Sequence, residues 1–140
     1  AGESGFFATA VAIHLPPDLG DIRLVRAGHP SPILLQGELA RLIGSPQLAL
    51  GMLPEAAYSN ESFAWSVGDL LMLFTDGAIE ITDALESELG EEGLIDLIQA
   101  TRAENAGDIP LAALEDKMLK SSCCVRLRDD VALLKLCRRA

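Results

Sequence analysis

The stretch of residues 67–80, VGDLLMLFTDGAIE, decides how the rest of the chain is interpreted. Its middle, residues 70–74, is an unbroken apolar run, which is typical of a β-strand buried on both faces. Val67-Gly68-Asp69 turns the chain before this run, and Thr75-Asp76-Gly77 ends it. We therefore predict a central strand with a carboxylate, that of Asp76, directly after its carboxyl end.

Other strands are predicted before this central strand. In residues 6–15, apolar side chains occupy both alternating faces, which indicates a strand in a sheet covered on both sides. The turn-forming residues 16–21 follow, so residues 22–26 are expected to return as the second strand of a hairpin. Short strands are predicted over residues 33–35 and 39–43, and an edge-type strand of mixed polarity is predicted over residues 58–66.

Two helices are predicted after the central strand. Residues 90–102 carry leucine and isoleucine side chains at helical spacing, and residues 110–120 carry a second apolar stripe. Asp108 is the expected N-cap of the second helix, with Pro110 in its first turn, where the missing proline N–H costs no hydrogen bond.

The last predicted element is a strand over residues 131–137, VALLKLC. An order of several strands, two helices and one strand predicts an α+β fold with mainly antiparallel sheets and a helical layer. The sequence contains no internal repeat, low-complexity tract or linker, so we predict a single domain over residues 1–140.

Carboxylates stand at the ends of the two most apolar strands. Asp76 follows the carboxyl end of one, and Asp129 and Asp130 precede the amino end of the other. If these strands pair antiparallel, the carboxylates meet at one edge of the sheet, where a divalent cation would relieve their repulsion. Oxygen-only ligation suits Mg²⁺ or Mn²⁺. The alternative is structural, because Asp-Gly after a strand is a common turn and paired aspartates occur in solvated loops.

The histidine and arginine residues give weaker indications of a functional site than these aspartates do. His29, in the segment AGHPSP of residues 27–32, is either a general acid or ligand, or a hydrogen-bonded residue that fixes its own loop. The second reading is favoured, since His14 is the only other histidine and a histidine-based metal cluster would need outside ligands. Arg26 and Arg128 are candidates for a substrate phosphate, with surface ion pairs as the simpler alternative.

The composition limits the classes of function. The chain has 140 residues, 49% of them hydrophobic, which is enough for one domain with a core. Its net charge of −10 argues against nucleic-acid binding, which needs Lys and Arg to neutralise phosphates. Surplus carboxylates are compatible with a site for hard cations, or simply with solubility. No apolar run is long enough to cross a bilayer, so no membrane partner is expected.

The start of the chain and the cysteines bear on its location. Residues 1–5 lack the basic and apolar segments of a signal peptide, and there is no initiator Met, so the chain is expected to be processed or part of something longer. Cys123, Cys124 and Cys137 lack the CxxC spacing of redox and zinc motifs. We interpret them as small apolar residues in a reducing cytoplasm.

Six segments together resemble a known family. They are FFATAVAIHL (6–15), VRAGHPSPILL (25–35), LALGM (48–52), VGDLLMLFTDGAIE (67–80), LGEEGLIDLI (89–98) and RDDVALLKL (128–136). In this order they resemble the SpoIIE branch of the metal-dependent protein phosphatases, bacterial relatives of the protein phosphatase 2C enzymes. The resemblance runs over nearly the whole chain, and the combination is specific although FTDG and RDD are each weak alone.

This resemblance implies a fold, an activity and a metal site. The fold would be a β-sandwich flanked by helices, and the activity would be hydrolysis of phosphoserine or phosphothreonine on a regulatory protein, often an anti-sigma-factor antagonist. Two Mn²⁺ or Mg²⁺ ions would activate a water and neutralise phosphoryl charge. Asp76 and Asp129 match the family's metal ligands. Gly77, Asp130 and His29 would lie in a supporting shell or loop, and Arg128 could meet the substrate phosphate.

The sequence departs from the family pattern at its start. Family members begin with a segment of the type GDVSGKG, whose Asp and following Gly bridge the two metals, and residues 1–140 contain no such segment. The chain is therefore expected to represent the C-terminal part of the domain, with only part of the metal site. Absent opening strands would leave apolar edges uncovered, so a homodimer or swapped assembly is expected.

Three functions remain open from the sequence. The first is a metal-dependent phosphoprotein phosphatase in which Asp76 and Asp129 bind metal. The second is a non-catalytic module that keeps the phosphatase-like fold and binds a regulatory protein. The third is an acidic α+β domain in which these aspartates only end strands.

Overall fold

The computed structural model of the protein describes residues 5–18, 20–121, 127 and 129–140. The chain divides into two compact units. Unit 1 comprises Ala1–Leu71 with Leu136–Ala140, and unit 2 comprises Met72–Lys135. In the described part of the chain, no helix is long and apolar enough to span a membrane.

Unit 1 contains a three-stranded antiparallel sheet in the order β1-β2-β5. Strand β1 is Ala10–His14, β2 is Ile22–Ala27 and β5 is Glu61–Phe63. Antiparallel pairing places Ala10 opposite Ala27 and His14 opposite Arg23. The alternation of β2 buries Ile22 and Leu24 on one face while Arg23 stays exposed, so this strand supplies the sheet's inner face.

A second sheet has the strand order β4-β3-β6-β7. Strands β3, Ile33–Gln36, and β4, Leu39–Leu42, form a hairpin with Gly37 at a positive φ of 55° in its turn. Strands β6, Leu70–Phe74, and β7, Leu133–Cys137, each have residues in both units. The central strands β3 and β6 are almost completely buried, as expected for strands with neighbours on both sides.

Unit 2 contains both helices. Helix α1 is Gly90–Glu104 and helix α2 is Leu111–Ser121, and the two pack against each other. Helix α1 buries Leu94 and Ile98, and α2 buries Leu114 and Met118. Each pair is four residues apart, which places both side chains on one face of the helix. The packing therefore follows directly from the apolar stripes of the sequence.

The predicted α+β class is confirmed, since the described residues form two antiparallel sheets and two α-helices. Strand β6 has its predicted bounds, and the other elements differ from prediction mainly at their ends. Two expectations are wrong. Helix α2 begins at Leu111, and Pro110 O accepts bonds from Ala113 N and Leu114 N, so Pro110 and not Asp108 directly precedes the helix. The strand predicted over residues 6–15 is not covered on both sides, because Phe6 and Phe7 are 95% and 66% exposed and β1 is an edge strand with two exposed residues.

The turn before β6 is held by a buried carboxylate. The Asp69 side chain is only 8% exposed, and its Oδ2 accepts hydrogen bonds from Ser66 N at 2.7 Å and from Gln36 Nε2 at 2.9 Å. Asp69 N in turn donates to Ser66 O at 3.0 Å. These bonds close the turn that delivers the chain into the buried strand β6, and they tie it to the end of β3.

Replacing Asp69 with alanine should therefore lower the free energy of unfolding by about 1–3 kcal/mol, because two donors lose a buried acceptor. Chemical denaturation measures this change. Glu55→Ala, which removes the same charge from an exposed position in unit 1, is the control and should stay within about 0.5 kcal/mol of the parent protein. Equal stability of the two variants would contradict this role of Asp69.

Candidate functional site

The end of β6 and the start of β7 meet in antiparallel fashion. Thr75 N donates to Ala132 O at 3.1 Å, whereas at the opposite ends of the two strands Arg138 N donates to Asp69 O at 3.1 Å. Residue numbers therefore increase in opposite directions along the two strands. The structure therefore contains the antiparallel pairing that the prediction of converging aspartates took as its condition.

Directly after β6, the chain makes a single 3₁₀ turn, Asp76–Ala78. Ala78 N donates to Thr75 O at 2.9 Å, and both Ile79 N and Glu80 N donate to Asp76 O at 3.0 Å. These bonds fix the backbone of Asp76 while its side chain stays exposed. The sequence predicted only that the strand stops here. The 3₁₀ turn determines how the Asp76 backbone leaves the sheet.

Gly77 brings this turn against the segment before β7. A Cβ atom at Gly77 would lie 3.0 Å from Asp129 O and closer still to Asp130 O. Gly77 is buried, and its φ is not positive, so the close approach of the two backbones is the reason for glycine here. The backbone that carries Asp76 is therefore in direct contact with the backbone that carries Asp129 and Asp130.

The potential metal ligands at this edge of the sheet are carboxylate oxygens. The side chains of Asp76, Asp129 and Asp130 are all exposed, and Asp129 Oδ1 accepts a hydrogen bond from Asp130 N at 2.8 Å. Within the described residues, no group of three or more His, Cys, Asp or Glu side chains is arranged to hold a metal ion. The carboxylate oxygens at this edge are of the type that a hard cation prefers, but they supply only part of the ligands that such a cation needs. The assignment of Asp76 and Asp129 as ligands stays a prediction.

The AGHPSP segment lies in unit 1 and is held by its own contacts. His29 is half-buried, with Nδ1 3.1 Å from Pro30 O, and its carbonyl accepts a bond from Arg26 Nη1 at 3.1 Å. Gly28 has a positive φ of 65°, and its N donates to Gln47 O at 2.8 Å. These are the contacts expected of a histidine that holds its own loop in place.

Arg128, the candidate for phosphate binding, lies outside the described residues.

A polar cluster beside this segment was missed by the sequence analysis. Ser45 N donates to Glu61 Oε2 at 3.0 Å, and Ser45 Oγ donates to Glu61 Oε1. Arg26 Nε reaches Ser45 O at 3.5 Å. The hydrogen bonds from the Ser45 hydroxyl and then its amide, with the nearby Arg26 charge, lower the pKa of Glu61 below its ordinary value. Because 16 residues separate Ser45 from Glu61, no local sequence pattern announces this pair.

Solved structures place this fold in a known class. The chain is similar to the RsbU and RsbW domains of Rv1364c from Mycobacterium tuberculosis, with 28% identity and a TM-score of 0.73 over 94% of this chain and 36% of that one. The SiaA-PP2C domain of Pseudomonas aeruginosa matches with 16% identity and a TM-score of 0.76, over 92% of this chain and 51% of that one. The fold is therefore that of PP2C-type phosphatase domains.

The family follows from a further comparison. The model of the Stage II sporulation protein E (SpoIIE) family matches residues 2–139, so the chain belongs to the SpoIIE family. The manganese-presoaked phosphatase domain of SpoIIE from Bacillus subtilis matches with 13% identity and a TM-score of 0.65, over 94% of this chain and 56% of that one. The chain thus spans between about a third and just over half of these proteins. No significant match is found among curated protein sequences.

Replacing Gly77 with alanine should destabilise the protein by about 1–3 kcal/mol, because the new methyl group would overlap a backbone oxygen that cannot move without shifting the start of β7. Equilibrium unfolding in urea measures the loss. Gly5→Ala is the control, since a Cβ there meets nothing within 4 Å. If both variants unfold at the same urea concentration, the close backbone contact is not what requires glycine.

The lowered pKa of Glu61 predicts a pH-dependent contribution to stability. A depressed pKa in the folded state means that the Glu61 carboxylate stabilises the protein above its ordinary pKa of 4.5, and that this contribution is lost as pH falls through the depressed value. Glu61→Gln should therefore lower the Tm at pH 7, with the gap from the parent protein closing below pH 4.5.

Circular dichroism melts over a series of pH values test this effect. Glu55→Gln, at an exposed position in the same unit, is the matched control and should follow the parent protein at every pH. A Glu61→Gln deficit that stays constant through the acid range would show that Ser45 does not favour the ionised carboxylate.

Proposed function

We propose that this chain forms part of a metal-dependent protein serine/threonine phosphatase. The observation that carries the proposal is the backbone contact at Gly77, which joins the segment bearing Asp76 to the segment bearing Asp129. The family model matches residues 2–139, and the resemblance to this family implies that Asp76 and Asp129 are metal ligands. The manganese-presoaked SpoIIE phosphatase domain among the similar structures supports this choice of ion.

In the proposed mechanism, the Asp76 and Asp129 carboxylates would hold Mn²⁺ or Mg²⁺ together with ligands from elsewhere in the complete domain. Such ions would supply a water of lowered pKa and neutralise charge on the phosphoryl oxygens. The contribution of this chain is to fix the backbone of Asp76 and one carboxylate oxygen of Asp129. The 3₁₀ turn fixes the Asp76 backbone, and the hydrogen bond from Asp130 N to Asp129 Oδ1 orients the second carboxylate.

The proposed substrate is a phosphoserine or phosphothreonine on a regulatory protein, such as an anti-sigma-factor antagonist. Support comes from the Mycobacterium tuberculosis structure, which contains an RsbU domain together with an RsbW domain. A protein substrate also agrees with the open position of the three aspartate side chains, which are exposed rather than enclosed in a small cavity.

A second candidate is a non-catalytic module that binds a regulatory protein. It is favoured by one specific observation: the described residues contain no cluster of three or more potential metal-binding side chains. Two carboxylates alone would bind a divalent cation weakly. The two candidates therefore differ in whether the protein that carries this chain binds Mn²⁺.

The test is a calorimetric titration of Mn²⁺ into the natural full-length protein, with hydrolysis of a phosphoserine peptide measured in parallel. Asp76→Asn and Asp129→Asn should each weaken Mn²⁺ binding by more than about tenfold, or ~1.4 kcal/mol, and abolish hydrolysis, because each removes a charged ligand. Asp96→Asn, which makes the same change at an exposed position on α1, should alter neither.

The outcomes separate the two candidates. Mn²⁺ binding that depends on Asp76 and Asp129 supports the phosphatase. Wild-type protein that binds no Mn²⁺ and hydrolyses nothing favours the non-catalytic module. Binding that survives both substitutions would place the metal elsewhere and remove these aspartates from the site.

A further inference from the structure

Thr75 makes three hydrogen bonds to the segment that leads into β7. Its backbone N donates to Ala132 O at 3.1 Å. Its hydroxyl donates to Asp130 O at 3.2 Å and accepts a bond from Ala132 N at 2.9 Å. The half-buried Thr75 side chain therefore contacts both Asp130 and Ala132, in the segment where β7 begins to pair with β6.

The Thr75 hydroxyl takes the place of the backbone acceptor that a regular strand pair would offer to Ala132 N. In a regular antiparallel pair, two opposite residues exchange both N–H···O bonds, so Ala132 N would donate to Thr75 O. Here Thr75 O instead accepts the bond from Ala78 N that opens the 3₁₀ turn. Ala132 N is satisfied by Thr75 Oγ1. The hydroxyl thus allows the chain to turn at Asp76 without breaking the junction with β7.

The same hydroxyl also fixes the Asp129–Asp130 segment. Asp130 O lies so close to Gly77 that a Cβ atom on residue 77 would overlap it. This carbonyl oxygen therefore cannot move towards the 3₁₀ turn. The bond from Thr75 Oγ1 holds this carbonyl in place from the strand side. Asp76 follows Thr75 by one residue, and Asp129 precedes Asp130 by one. The spacing of the two acidic segments therefore depends on the Thr75 hydroxyl and the absent side chain of Gly77.

We propose that Thr75 is a positioning residue that sets the spacing of Asp76 and Asp129 for cation binding. The inference rests on the proposed function, because it assigns the metal site to these two aspartates. A hydroxyl is required, since it must donate to one backbone group and accept from another at the same time. The β-branch of threonine restricts χ1 and so keeps the hydroxyl aimed at residues 130 and 132.

The test compares Thr75→Val, which keeps the shape and removes the hydroxyl, with Thr75→Ser, which keeps the hydroxyl. Thr75→Ala is a second hydroxyl-free variant that introduces no bulk. In the full-length protein, Thr75→Val and Thr75→Ala should weaken Mn²⁺ binding by roughly 10- to 100-fold, the usual effect of losing a group that orients a ligand. Thr75→Ser should restore affinity to within a few-fold of wild type.

Thr101→Val is the matched control. It removes another threonine hydroxyl in unit 2, one that donates to Leu97 O within α1 at 2.7 Å, and should leave Mn²⁺ affinity unchanged. A second readout needs no metal: amide hydrogen exchange of Ala132, measured by NMR. Exchange should accelerate in Thr75→Val and Thr75→Ala and stay slow in Thr75→Ser, because only the serine variant keeps an acceptor for this N–H.

Each outcome decides a separate point. Equal Mn²⁺ affinity in the valine and serine variants overturns the positioning role. Unchanged Ala132 exchange in both hydroxyl-free variants overturns the hydrogen bond on which that role rests. If wild-type protein binds no Mn²⁺, the proposed function fails and the positioning role falls with it, while the exchange data still decide whether the hydroxyl joins the two segments.

Discussion

The antiparallel junction between the end of β6 and the start of β7 is the constraint on which the acidic edge depends. Two local features make it possible. Gly77 has no side chain, so the 3₁₀ turn can lie against the carbonyls of Asp129 and Asp130. The Thr75 hydroxyl supplies the acceptor that the Thr75 carbonyl gives up to the turn.

Most of the secondary structure could be predicted because the apolar pattern is strong. The run LLMLF has neighbouring strands on both sides, and Leu70–Phe74 is a strand with the predicted bounds. The two helices follow from apolar residues four positions apart. The prediction failed for the first strand, because a pattern of apolar residues reports what a strand could bury and not whether another element covers it. Phe6 and Phe7 are apolar and exposed.

The candidate site was predictable to the level of backbone segments and no further. The sequence indicated that Asp76 and Asp129 would lie at one edge on the condition that their strands pair antiparallel, because antiparallel neighbours bring the end of one strand beside the start of the other. The hydrogen bonds that fix this edge, and the separate Ser45–Glu61 pair in unit 1, were not predictable. Thr75 and Ala132 are 57 residues apart, and Ser45 and Glu61 are 16 apart. Pairs of this kind depend on the completed fold and leave no periodic signal.

The electrostatics of unit 2 explain why a rigid backbone matters at this edge. Lysine charges are engaged elsewhere: Lys117 pairs with Glu104, Lys120 with Asp116 and Lys135 with Asp108. Three neighbouring aspartates are instead held by main-chain and hydroxyl hydrogen bonds, with their side chains exposed. Like charges at one edge of the sheet repel one another, and in the proposed function a bound cation would relieve that repulsion. Because backbone and hydroxyl hydrogen bonds hold these acidic segments within the described residues, none of the three lysine ion pairs would have to break for the cation of the proposed function to bind.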